Sequence, residues 1–171
     1  GHSSTDPSLI IRHLKPAGGV LCYGQPGSKE ADLATSIVAK VVSSGDLTAK
    51  EATQQTSEGW ATLSRGMLPG AGSWSHQYGN AANTAVSDDL RVKGGLGVLW
   101  YGDPGIDDMV NRHDGAVGPL AVGGRLFVQG ETNIRAYDAY NVLFLWEHEN
   151  PEGIRLGVYQ NVSPGNLAAT E

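Results

Sequence analysis

The residues best suited to chemistry stand close together in one loop. Asp103, Asp107, Asp108, His113 and Asp114 fall between positions 103 and 114, with Asn111 among them. An imidazole beside carboxylates is a donor set for Zn²⁺ or Mn²⁺, and a bound divalent ion lowers the pKa of its water. That chemistry would suit metal-assisted hydrolysis of a small activated ester, with His113, Asp114, Asp107 and Asp108 as ligands and His76 as a further candidate. The spacing matches no established ligand motif, and a solvated acidic loop is the commoner reading of such a stretch. His76 lies between Trp74 and Tyr78, where packing on aromatics competes with a role in chemistry. His148 is flanked by Glu147 and Glu149. On a strand it would face away from both carboxylates, as part of a charged solvent face.

Nucleophilic catalysis has little to draw on. No G-x-S-x-G stretch occurs, and Ser73 and Ser75 near His76 carry no turn signature. Cys22 is the one cysteine, so an intramolecular disulfide and a thiolate cluster are excluded. Its apolar neighbours predict an inert core position. Trp74, Tyr78, Trp100 and Tyr101 could form an aromatic platform for a sugar or peptide, although packing is the better reading of them.

The elements that would position these residues differ along the chain. Leu9, Ile10, Ile11 and Leu14 predict a helix, broken by Lys15-Pro16-Ala17-Gly18-Gly19. Val20–Gly24 reads as a strand and Ser28 as an N-cap. Ala34, Ile37, Val38 and Val41 recur at i, i+3, i+4, i+7, which predicts an amphipathic helix from Lys29 to Val42. Thr48 and Glu51 form a capping box and predict a short helix over 49–57. Trp60–Arg65 alternates as a strand, and Leu68–Gly72 reads as a linker. Beyond it the chain turns to short strands between glycines. Leu96–Trp100 is one such run, and the block from Pro119 to Trp146 holds four: 119–122, 125–129, 133–137 and 142–146. There are 24 glycines in 171 residues, about twice the usual share.

With 18 acidic and 12 basic residues the net charge is −6, and no Lys/Arg cluster is present. Nucleic acid is therefore not an expected partner. No apolar run approaches the roughly 20 residues of a membrane span, and no signal peptide is visible, so membrane insertion is not expected and the compartment stays open. Gly1-His2-Ser3-Ser4 reads like a cloning scar and Asn166–Glu171 ends without a stop signal. Both ends read as cut.

The four-strand block resembles a blade of the pyrroloquinoline-quinone (PQQ)-like β-propeller repeat family. The resemblance rests on Gly124-Arg125-Leu126-Phe127-Val128, Ala136-Tyr137-Asp138-Ala139 and Leu145-Trp146-Glu147. The family places glycine where this chain has Val142, so an altered turn is expected there. Leu99-Trp100-Tyr101 looks like the end of a preceding blade, and Trp74–Asn80 with Asn83-Thr84 like its beginning. Leu14–Leu21 looks like the turn before the fifth strand of a class I methyltransferase, with one extra Ala. Together these resemble planctomycete-type proteins that join such blades to an S-adenosylmethionine-dependent methyltransferase.

The resemblance implies an α+β fold: a methyltransferase-tail-like segment at 1–68, then one to two blades at 73–171. It also implies that neither parent activity survives, because no glycine-rich S-adenosylmethionine loop is present and PQQ needs a ring of blades. Open strand edges then imply a homo-oligomer.

Overall fold

The computed structural model describes residues 6–24, 31–48, 51–99, 101–103, 118–130, 132–151 and 167–170. Its fold is α+β, with two helices, a three-stranded sheet and a four-stranded sheet, both antiparallel. The chain divides into two compact units, 1–69 and 70–171.

In the first unit, α1 (Pro7–His13) starts at Asp6, whose carboxylate accepts the Ser8 amide at 2.9 Å, with Pro7 in the first turn. Those hydrogen bonds, the Ser8 backbone bond first, hold the Asp6 carboxyl below its ordinary range. Arg65 Nη1 donates to the carbonyls of Ile11 and Leu14, filling acceptors left over at the helix end. The Lys15–Gly19 turn is tight: a Cβ on Gly19 would lie 2.4 Å from the Lys15 carbonyl oxygen. It leads into β1 (Val20–Gly24).

Next comes α2 (Ala31–Ser44), which buries Ala34, Val38 and Val41. These three pack with Leu14, Ala61 and Leu63 as the core of the unit. Over its described residues, 51–57, the predicted 49–57 helix does not form. Only half of the capping box closes: Glu51 Oε2 accepts the Thr48 amide at 3.1 Å, but the Thr48 hydroxyl donates to the same carboxylate and the Glu51 amide goes to the Thr48 carbonyl. Ala52–Ser57 continues as β2, paired antiparallel with β3 (Trp60–Arg65). The β-branched Thr53 and Thr56 favour the ladder that β3 offers, and a six-residue pairing outweighs one local cap. Glu58 (φ 44°) and Gly59 (φ 85°) form the two-residue hairpin turn between them.

The sheet order is β1-β3-β2. Only one face meets α2. Leu21 pairs with Leu63 toward the helix, so Cys22 and its partner Thr62 point the other way. Cys22 is consequently exposed, not buried as its neighbours suggested.

The second unit holds a meander in the order β4-β5-β6-β7. Its strands are β4 (Leu120–Val122), β5 (Arg125–Gln129), β6 (Asn133–Asp138) and β7 (Phe144–Glu149). The last begins two residues later than the spacing predicted. Gly123 (φ 58°) and Gly124 (φ 73°) make the first hairpin turn. Leu120, Val122, Val128, Ala136 and Tyr137 are buried. Trp74 extends the sheet beyond β4 by exchanging two backbone hydrogen bonds with Ala121, at 2.7 and 3.0 Å. The 96–99 run is not a strand: Leu96, Val98 and Leu99 are 83%, 83% and 73% exposed. Its apolar residues find no ladder among the described residues.

Candidate functional site

The β6–β7 corner is built on Asp138. Its carboxylate is buried and accepts the amides of Tyr140 (3.0 Å) and Asn141 (3.2 Å), while its carbonyl takes the Val142 amide at 3.0 Å. Asn141 Oδ1 in turn accepts the Leu143 amide at 3.1 Å. These bonds hold the turn with Val142 at φ 62°. Its side chain thus bears a left-handed backbone that glycine would adopt freely.

Beyond the corner, β7 carries Phe144, Leu145 and Trp146 at 50%, 40% and 43% exposure. A bulge lies opposite Ala136/Tyr137. Trp146 touches Phe127 with ring centroids 5.9 Å apart, and Phe144 meets Tyr137 edge-on at 5.7 Å. Arg125, Phe127, Leu145, Trp146 and Thr170 line an open depression of about 510 Å³. On the other face Glu147 is held by Arg135 Nε at 3.0 Å and by Asn133 Nδ2 at 2.9 Å.

The Asn150 amide donates to the Thr132 carbonyl at 2.7 Å. Antiparallel pairing alternates, and Ile134 faces His148 while Ala136 faces Trp146. The backbone groups of Glu147 and Glu149 therefore point away from β6. No strand meets that outer edge among the described residues.

Of the sequence-predicted metal ligands, His113, Asp114, Asp107 and Asp108 lie outside the described residues, as does Trp100. His76 is half-buried. Its Nδ1 is 2.9 Å from the Ser75 hydroxyl, and its backbone bridges to Gly79 and Ala168. Among the described residues no three His, Cys, Asp or Glu side chains gather as a metal-binding group. Trp74 is half-buried, with its indole nitrogen donating to the Gln77 carbonyl at 3.3 Å, whereas Tyr78 and Tyr101 are exposed.

Asp89 organises the loop before the exposed run. It accepts the amides of Gly72, Arg91 and Val92 at 2.8, 2.7 and 2.8 Å, and these bonds, Gly72's first, hold its carboxyl below the ordinary 3.8. Sequence reading passed over Asp89 because the signal is three-dimensional. The contact needs Gly72, where an added Cβ would meet the Asp89 backbone at 2.5 Å.

Compared with protein-family models, with curated proteins and with solved structures, the chain matches none. No helix among the described residues is long and apolar enough to cross a membrane.

Proposed function

We propose that the chain is a non-catalytic assembly module. In this reading it is a piece of a PQQ-like propeller and methyltransferase architecture that completes its open sheet by self-association. The observation that carries the proposal is β7, whose six residues are all exposed and whose outer edge offers the backbone groups of Glu147 and Glu149. An unpaired edge beside exposed aromatics is a template for another strand. The four-strand meander and the Asp138 turn support the blade reading, and the tight Lys15–Gly19 turn into β1 supports the methyltransferase-tail reading.

Light scattering across a dilution series tests it. The full chain is expected to form a concentration-dependent oligomer. Glu149→Pro removes one outward amide without taking a hydrogen bond from the β6–β7 ladder, and should shift the population to monomer. A wild-type chain that stays monomeric at high micromolar concentration would end the proposal.

A further inference from the structure

We infer that the strand added to β7 is the segment 96–99 of a second copy of this chain; the inference rests on the self-association just proposed. Two unmatched features of one unit fit each other. One is the β7 edge, six residues long. The other is the run 96–99, in which Leu96, Val98 and Leu99 are 83%, 83% and 73% exposed. A run of large, mostly solvated apolar side chains has its surface to gain by docking.

Charge chooses the partner and the direction. Two β7 strands paired with each other would gather Glu147 and Glu149 of both copies on one face, with one Arg135 from each copy to answer them. The 96–99 run has Arg91 and Lys93 before it and Asp103 after it. Laid antiparallel, it brings Arg91 and Lys93 to the Glu149 end and keeps Asp103 at the Phe144 end. Laid parallel, it would set Asp103 against Glu149. With Leu96 opposite Glu149, Leu99 falls opposite Trp146, an aromatic–apolar pair of the kind that stabilises ladders, and the pairing stops before the bulge at the Phe144 end. Leu96 and Val98 then cover the aliphatic stems of Glu149 and Glu147. If each copy donates its run to the other, the exchange closes as a symmetric dimer.

A complementation experiment on the full chain tests the inference. Leu96→Pro/Leu99→Pro disables the donor in either strand parity, in a segment outside every strand. Glu149→Pro disables the acceptor. Circular dichroism should show both variants folded as the wild type. Each alone is expected to be monomeric, with its dissociation constant raised about 100-fold or more, and an equimolar mixture should recover a heterodimer. Amide exchange at Leu96–Leu99 should slow as wild-type concentration rises. If the donor variant still assembles while Glu149→Pro does not, the inference is overturned and the self-association reading stands. Loss in both variants without recovery in the mixture also overturns it. If both variants assemble like the wild type, or the wild type stays monomeric, both readings fall.

Discussion

Val142 offers a test in which the sign of an effect, not only its size, reports the backbone. A side chain at φ 62° costs about 1–2 kcal/mol relative to glycine. In ordinary backbone the order is reversed, since glycine is about 0.5–1 kcal/mol worse than alanine through its greater freedom when unfolded. The informative comparison is therefore Val142→Gly against Val142→Ala. Both remove the two γ-methyls and whatever these bury, and they differ in the Cβ alone. Subtracting the second term from the first leaves glycine ahead of alanine by about 0.5–1 kcal/mol at this site. The readout is hydrogen exchange of the Asp138 amide, which donates to the Leu143 carbonyl at 2.9 Å across the corner. Exchange in the glycine variant should be about 2–5-fold slower than in the alanine variant. Exchange that is faster in the glycine variant would refute the left-handed corner and the reading of Asp138 as its organiser.

Two further outcomes can be checked directly. The folded-state pKa of Asp89 is lowered, so the stability it lends the loop is full above the unfolded-state value near 3.9 and fades as pH falls through the folded value. The amides of Gly72, Arg91 and Val92 should lose protection together below about pH 4; an unchanged pattern in Asp89→Asn would contradict the assignment. Cys22 should be fully labelled by a maleimide in the native protein as fast as in urea, because it is exposed on the face of the first sheet turned away from α2; burial-type protection of the thiol would contradict that placement.

Much of the fold was legible where a residue's periodicity and its surroundings agree. Ala34, Val38 and Val41 announce α2 by spacing, and the same three meet Leu63 in the core. Trp60–Arg65 alternates as a strand with one covered face does. Reading failed where a local signal met a tertiary one. Glu51 does reach back to the Thr48 amide, yet Ala52–Ser57 goes to the neighbouring strand. Cys22 looks like core because its neighbours are apolar, but a sheet covered on one side buries every second residue. The candidate site was the least legible part. Phe144, Leu145 and Trp146 have the composition of an interior strand, and only the arrangement of the sheet reveals that β7 is last in order.

The Asp89 cluster has a consequence for distance. It fixes the chain as far as the Val92 amide, and the run with the exposed apolar side chains starts at Leu96. Only Lys93, Gly94 and Gly95 lie between, and three extended residues span about 10 Å. Around Gly94 and Gly95 nothing stands within 4 Å of where a side chain would begin. The run is thus a short arm on a fixed post: free to swing, but with a radius that limits which surfaces it can reach. Lengthening those glycines would widen the radius and dilute the arm's local concentration, so the spacing between post and arm is itself a setting of how tightly two copies can hold each other.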